Sequence, residues 1–382
     1  GVIIGPVLKV IDPTPLFALV PFFAALALII LLFDGGINIV FGKLFNELAR
    51  ATSFTLVCFI LTMAIVAAAT TFLFNWDPLF GLFLGAVLGG TGSAVVIPLL
   101  SQISGSEKDK DVLKIESALT DALCVVVALT LVKIIVSGNA SIGGALNSLL
   151  ASFSIAIVFG IIAGALWIRV LSDFHKKAYG YLLTLASAFL LYSVVEAVQA
   201  NGAIAVLSFG IVLGNAFEAS KLLRMKQPLK LEESIKNFQK EVSFFVKTFF
   251  FFYIGLLFRT SFDAKFLLLC AAVLAALLAS RYLATKSFNL GSKGRNTHRM
   301  WFAVQGRGMA TAVLATLPFT EGLTIAKFPL ELTFFQDLVL VMIFLTNLIT
   351  AIGIFWYEKT RQTHADEKPR PKVIAVKQGS KK

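Results

Sequence analysis

Long apolar stretches alternate with short polar stretches along most of the chain. Each apolar stretch is close to the length of about 20 residues that a helix needs to cross the hydrocarbon core of a bilayer. The first one, GVIIGPVL, is shorter and lacks the basic region and cleavage site of a signal peptide, so we expect the chain to begin inside a helix. We predict about twelve transmembrane segments, near residues 1–10, 15–35, 51–74, 78–102, 112–136, 143–170, 178–199, 202–217, 240–258, 263–283, 298–318 and 333–357.

The composition supports this reading of the pattern. Of the 382 residues, 57% are hydrophobic and 15% are charged, and the mean hydropathy is +0.84. These values lie outside the range of soluble globular domains, so we predict an all-α, multi-pass integral membrane protein surrounded by lipids. Three cysteines lie in apolar segments without CxxC spacing, which argues against a disulfide framework or a zinc site: Cys58, Cys124 and Cys270.

The formal charge of +12 could suggest a nucleic-acid partner, but the positions of the basic residues indicate another cause. Alternate loops and the tail after residue 357 carry 27 Lys and Arg, whereas the intervening loops carry 5. Positive residues concentrate on the cytoplasmic side of membrane proteins, so we expect the C-terminus to be cytoplasmic and expect no nucleic-acid partner. A phosphate-binding GxxxxGK[ST] motif is missing, so ATP is not expected to act directly.

Two glycine-containing stretches interrupt the fourth and eleventh segments. They read GGTGSAVVIPLL at residues 89–100 and VQGRGMATAVLATLP at residues 304–318. Because they are seven segments apart, they run in opposite directions, as two halves with inverted topology require. Glycine-interrupted helices at matching positions indicate a transport site, although glycine also permits close helix packing. The residues that we expect at the two breaks are Gly90, Gly92, Ser93, Gly306 and Gly308.

Acidic residues in the fifth segment need a reason, because an ionised side chain at the membrane centre costs at least about 2.5 kcal/mol. Glu116 and Asp121 are five residues apart and diverge by about 140° on a helix, so we expect them to have different partners. Arg307 is the candidate counter-charge for Glu116, and Ser117 shares a helix face with Asp121. A partly desolvated carboxylate at position 121 could hold either a proton or a small cation.

Simpler alternatives stay open for these charges. Glu116 and Asp121 follow EKDKDVLK and could belong to a helix start in the loop. Lys247 and Arg307 could extend towards the membrane surface, and Asp34 could cap a turn.

Six stretches occur in the order found in the cation:proton antiporter superfamily, and the chain resembles its sodium/proton exchangers over nearly all of its hydrophobic length. They are GVIIGP, LLFDGGINI, GGTGSAVVIP, ESALTDAL, FFFFYIGLLF and QGRGMATAVLATLP. The resemblance implies a thirteen-helix homodimeric fold, here without its first helix, with inverted repeats, two crossed discontinuous helices and no cofactor.

The resemblance also implies a domain organisation. Residues 1–50 and 176–260 would form a dimerisation scaffold, with a cytoplasmic loop at 218–240. The ion-carrying core would consist of residues 51–137 and 261–357, and residues 138–175 would link the two parts. The basic tail at residues 358–382 would be cytoplasmic.

For the site, the resemblance implies that Asp121 is the carboxylate that binds the ion and the proton. Ser117 and Thr91 would be its neighbouring ligands, and Glu116 with Arg307 would form a structural ion pair. Asp34 matches a further acidic group near the ion. Lys247 lies in the segment where electrogenic relatives carry a functional lysine.

Two departures from the family pattern bear on stoichiometry. This chain has Thr120-Asp121 where relatives have Asn-Asp or Asp-Asp, and it has Thr91-Gly92-Ser93 where many have Thr-Asp-Pro. Both positions for a second carboxylate are lost. We therefore expect one monovalent cation to exchange for one proton, which is electroneutral.

The predicted function is antiport of Na⁺, or else K⁺, against H⁺ by alternating access, with a role in pH homeostasis. The alternative within transport is a K⁺/H⁺ antiporter or a K⁺ efflux protein of the same superfamily. A membrane receptor or scaffold with structural buried charges is an alternative of another class. We do not expect an enzyme, because no nucleophile and base pair or metal-binding set is recognisable.

Overall fold

The structure is a computed structural model that describes residues 1–11, 14–39, 45–137, 142–173, 180–225, 228–229, 233–258, 263–289, 295–320 and 332–366. Every regular element within these ranges is a helix. The first five α-helices are α1 (Val20–Asn38), α2 (Phe45–Phe74), α3 (Pro78–Leu88), α4 (Ser93–Gln102) and α5 (Glu107–Ser137). The next five are α6 (Ile142–Asp173), α7 (Gly180–Ala197), α8 (Gly202–Gly214), α9 (Ala216–Leu222) and α10 (Glu233–Leu256). The last five are α11 (Ala264–Asn289), α12 (Arg295–Ala303), α13 (Met309–Leu314), α14 (Leu317–Thr320) and α15 (Leu332–Asp366).

The twelve predicted segments all correspond to helical parts of the described chain. Eight spans in that part are long and apolar enough to cross a membrane, and the bent pair α8 and α9, which meet at 84°, would be a ninth. Three predicted segments remain. The first contains a single helical turn (Ile3–Val7), and the ninth corresponds to α10, whose first half carries charged residues. The eleventh is broken between α12 and α13. The all-α, multi-pass class is therefore confirmed.

Several helices pack against neighbours that belong to the same predicted part. In the predicted core, α2 packs against α3, α5 and α11, and α12 packs against α15. In the predicted scaffold, α8 packs against α1 and α7, and α1 also packs against α10; α8 packs as well against α6, which lies in the predicted linker. The domain boundaries stay a prediction. The described chain ends at residue 366, within the predicted tail.

Both predicted helix breaks are present, and they cross each other. The first separates α3 from α4 and the second separates α12 from α13. The Gly92 N–H donates to the Gly306 carbonyl oxygen across the crossing, at 2.8 Å. A Cβ atom added to Gly92 would overlap with the backbone of Gly308, and one added to Gly308 would overlap with Gly92. Glycine is therefore required at this contact because the two backbones touch.

Arg307 lies in the second break and binds backbone carbonyl groups. Its Nε donates to the Leu88 carbonyl at the end of α3, at 3.0 Å, and its Nη1 donates to the Gln305 carbonyl, at 2.6 Å. The last carbonyl groups of a helix lack partners within the helix and carry partial negative charge, which a guanidinium compensates. Arg307 is thus a cap for interrupted backbone, and only 4% of it is exposed.

The predicted ion pair between Glu116 and Arg307 is wrong. Glu116 pairs instead with Arg281 of α11, in a two-pronged contact with N–O distances of 2.6 and 3.1 Å. The Nε of Arg281 donates to the Trp301 carbonyl in α12, at 2.9 Å. Because Arg307 is already held by carbonyl groups, the guanidinium of Arg281 binds the carboxylate of Glu116. The pair joins α5, α11 and α12 and is almost fully buried, with side-chain exposures of 3% and 1%.

The glycine contact gives a first prediction. Gly92→Ala places a methyl group against the Gly308 backbone, and such overpacking should destabilise the protein by about 1–3 kcal/mol. The measurement is the midpoint of thermal unfolding in detergent. Gly35→Ala is the matched control, because a Cβ atom there meets nothing within 4 Å. Equal midpoints for the two variants would contradict the crossing.

The buried ion pair gives a second prediction. Glu116→Gln leaves the Arg281 guanidinium buried without a counter-charge, which should cost about 3–5 kcal/mol of unfolding free energy. Glu107→Gln is the control, since its carboxylate pairs with Lys110 but leaves 73% of the side chain exposed. The control should lose about 1 kcal/mol or less. Both are measured as thermal unfolding midpoints in detergent.

Double variants then identify the partner. Glu116→Gln combined with Arg281→Gln should lose less stability than the two single changes predict together, because the remaining charge is also removed. Glu116→Gln combined with Arg307→Gln should lie closer to additivity. The opposite ranking would restore the pairing that the sequence predicts.

Candidate ion-binding site

Asp121 of α5 lies at the N-terminus of α4, where the chain resumes after its break. Its Oδ2 accepts hydrogen bonds from the Ser93 backbone N–H, at 3.2 Å, and from the Ser93 hydroxyl, at 2.6 Å. Unpaired N–H groups and the helix dipole favour a negative charge at this point. The hydrogen bonds of Asp121 to the described residues all involve Oδ2. Its Oδ1 is therefore open to a proton or a cation.

Thr91 lies in the same break and is tied to the residue before Asp121. Its N–H donates to the Thr120 hydroxyl oxygen, and the Thr120 hydroxyl donates to the Thr91 carbonyl, both at 3.2 Å. The hydroxyl of Thr91 itself is buried and has no hydrogen-bond partner among the residues that the structure describes. The backbone of Thr91 is thus held against Thr120, the neighbour of Asp121, and its role as an ion ligand stays a prediction.

Ser93, rather than Ser117, supplies the hydroxyl that hydrogen-bonds to Asp121. The Ser117 hydroxyl donates to the Lys114 carbonyl within α5, at 2.9 Å, so its proton is not directed at Asp121. Ser93, predicted only as a break residue, supplies the hydroxyl that binds Asp121. Its position immediately after a glycine break was the available signal, because the first N–H groups of a helix need an acceptor.

A cavity of about 410 Å³ leads to Ser93 from the end of α5 where that helix begins. One wall is formed by α4 and the first half of α5, from Lys114 to Leu119. The facing wall belongs to α1 and α10 and includes Asp34, Lys240 and Lys247. The cavity therefore lies between the predicted core and the predicted scaffold and reaches the hydrogen-bond partner of Asp121.

The structure brings Asp34 and Lys247 together on the scaffold wall. The Lys247 Nζ donates to Asp34 Oδ2 at 2.9 Å, and Asn38 Nδ2 donates to Asp34 Oδ1 at 3.2 Å. Neither side chain is more than one-fifth exposed. Both oxygens of Asp34 thus have donors. The predicted roles of Asp34 as an ion ligand and Lys247 as a functional lysine stay predictions.

A second cavity, of about 320 Å³, lies at the other end of α5. Leu129 and Lys133 line it from α5, together with Glu196 and Asn201 near the α7–α8 connection. Its remaining lining residues come from α1, α7, α8, α13 and α14, so it also lies between helices of the predicted core and the predicted scaffold. Asp121 is placed along α5 between the residues that line the two cavities.

Comparison with known proteins identifies the family of this chain. The sequence profile of the family described as "Sodium/hydrogen exchanger, transmembrane" matches residues 1–359. The K(+)/H(+) antiporter NhaP2 of Shewanella sp. (strain ANA-3) is 29% identical over 334 residues, which cover 85% of this chain. The chain spans 56% of the length of that relative.

Two proteins of Methanocaldococcus jannaschii are also similar. The probable Na(+)/H(+) antiporter 2 is 27% identical over 321 residues, covering 78% of this chain and 72% of the relative. The solved structure of the sodium proton antiporter MjNhaP1 superposes with a TM-score of 0.74 at 20% identity, covering 96% of this chain and 90% of that one. The fold is therefore shared with MjNhaP1, and the chain belongs to the sodium/hydrogen exchanger family.

Proposed function

We propose that this protein exchanges a monovalent cation for a proton across a membrane by alternating access, with Asp121 as the shared binding group. The observation that carries the proposal is the position of this carboxylate between two cavities at opposite ends of α5. Its Oδ2 is held by Ser93 and its Oδ1 is open. A single anionic oxygen cannot bind a proton and a cation at once, and exchange requires that exclusion.

The neighbouring oxygens suit a hard cation. Sodium and potassium ions, like other hard cations, prefer oxygen ligands. In our proposal the cation binds Asp121 together with the hydroxyl groups of Thr91 and Ser93. The Ser117 hydroxyl donates its proton to the Lys114 carbonyl, so its oxygen lone pairs remain a further candidate ligand.

We propose Na⁺ as the cation, in electroneutral exchange with one proton and without a cofactor. Potassium/proton exchange is the second candidate, and it is favoured by the NhaP2 relatives, which are named as K(+)/H(+) antiporters. Proteoliposomes tested with Na⁺, K⁺ and Li⁺ at a clamped voltage separate the two candidates. Single-channel conductance in a planar bilayer would support an efflux channel instead.

The orientation follows from the basic loops. If the side with 27 Lys and Arg is cytoplasmic, then the C-terminus and the cavity that reaches Ser93 face the cytoplasm. The conformation described here would then be inward-facing. We also propose that the protein forms a homodimer through the scaffold, as the family resemblance implies.

Asp121→Asn should give a folded protein without exchange, because an amide cannot alternate between a proton and a cation. The measurement is the pH change inside proteoliposomes after a cation pulse. Glu218→Gln is the matched control, a carboxylate-to-amide change at a side chain that is 63% exposed. The control should transport at the wild-type rate. Cation-driven pH change in Asp121→Asn would refute the assignment, and none in the wild type would favour a structural role for the buried charges.

Ser93→Ala should weaken cation binding, because the carboxylate loses a short hydrogen bond and the ion loses an oxygen. A hydrogen bond to a charged group contributes about 1.5 kcal/mol or more, so the KM for the cation should rise about tenfold. Ser93→Thr keeps the hydroxyl and should stay near the wild-type KM. Identical KM values for the alanine and threonine variants would exclude Ser93 from the site.

A further inference from the structure

Two acidic residues lie at the cavity that reaches Ser93, Asp34 as a lining residue and Asp121 behind Ser93, although the proposed exchange uses only one. Asp121 contacts Ser93 at the core wall, and Asp34 lines the scaffold wall. Two free carboxylates along one path would attract a cation more strongly than one, and they could bind two charges. The structure shows how this is avoided.

Asp34 has a resident counter-charge. Lys247 binds its Oδ2 at 2.9 Å and Asn38 binds its Oδ1 at 3.2 Å, so neither oxygen is left for an entering ion. The ion pair joins α1 to α10, and these two helices pack against each other. Both charges thus lie on one wall and cancel each other at that wall.

The other charged residues that line the cavity, Lys114 and Lys240, do not neutralise Asp34. Lys114 is paired with Asp111 of its own helix at 2.9 Å, and each side chain is about one-third exposed. Lys240 is exposed and lies two turns before Lys247 on α10. Exposed charges are screened by water and salt, so their effect on the ion site is weaker than that of the partly buried pair.

We propose that Lys247 is a specificity-determining residue which neutralises Asp34, so that an entering cation meets the net charge of one carboxylate, that of Asp121. Lys247 is then neither an ion ligand nor a proton carrier. Its effect is to lower the affinity of the cavity for cations to a level at which a monovalent ion is released again. This inference rests on the proposed exchange function.

The test is the KM for the cation in proteoliposomes at alkaline pH, where protons compete least. Lys247→Met leaves Asp34 uncompensated and should lower the KM about tenfold. Asp34→Asn leaves Lys247 uncompensated and should raise the KM by a similar factor. The double variant should return towards the wild-type KM, and Lys247→Arg, which keeps the charge, should stay close to it.

Lys240→Met is the matched control, since it removes a lysine from the same cavity and the same helix. Its KM should change by about twofold or less, because the charge is exposed. An equal decrease in Lys240→Met and Lys247→Met would overturn the inference, since the effect would then belong to the cavity as a whole. So would single variants that both keep the wild-type KM or both raise it.

The outcomes separate the inference from the function on which it rests. If Asp121→Asn abolishes exchange while the Lys247 and Asp34 variants keep the wild-type KM, the inference fails and the exchange function stands. If the wild type shows no cation-driven proton flux, both fail. If Lys247→Met does not fold, the other two variants still test the inference. The KM for the cation should rise in Asp34→Asn and stay at the wild-type value in Lys247→Arg.

Discussion

A chain that crosses the hydrocarbon core of a bilayer has no water there to satisfy an unpaired backbone group, so each interruption of a helix must be compensated by the protein. In the described part of the chain, the α3–α4 and α12–α13 breaks meet at one point. Arg307 binds the carbonyl groups of Leu88 and Gln305. On the C-terminal side of the first break, where α4 begins, Asp121 accepts a hydrogen bond from the Ser93 N–H.

Side chains of α15 complete the compensation at the second break. Thr350 accepts from the Gln305 N–H at 3.2 Å, and Thr346 accepts from the Arg307 N–H at 3.4 Å. Asn347 donates to the Arg307 carbonyl at 2.9 Å. The carboxylate at position 121 is thus one member of a set of groups that the broken backbone requires. The same hydrogen bond serves both roles of Asp121. It satisfies the Ser93 N–H at the break, and it stabilises the negative charge for which a proton and a cation would compete.

The sequence predicts the helices and their breaks well because the responsible signals are local. Apolar length indicates a span, and glycine spacing indicates an interruption.

The partners of the buried charges are harder to predict, because they depend on distances between residues far apart in the chain. Arg281 lies at the end of an apolar segment beside a basic loop, where the charge pattern makes it look like a residue that sets topology. The local sequence therefore favours Arg307 over Arg281 as the partner of Glu116. The pairing of Lys247 with Asp34 is hidden for the same reason. The orientation of the Ser117 hydroxyl has a different cause: serine inside a helix tends to donate to a carbonyl of its own preceding turn, which the helical-face argument leaves out.

The spacing of the two cavities along α5 bounds the movement that transport would need. Leu129, which lines the far cavity, follows Asp121 by eight residues, or about 12 Å of helix. The hydrocarbon core is about 30 Å thick. A bound ion would therefore cross less than half of that thickness through packed protein between Asp121 and the far cavity. A modest slide or tilt of one helix group would be enough, and the short dry interval keeps the energetic barrier for a charged or protonated site low.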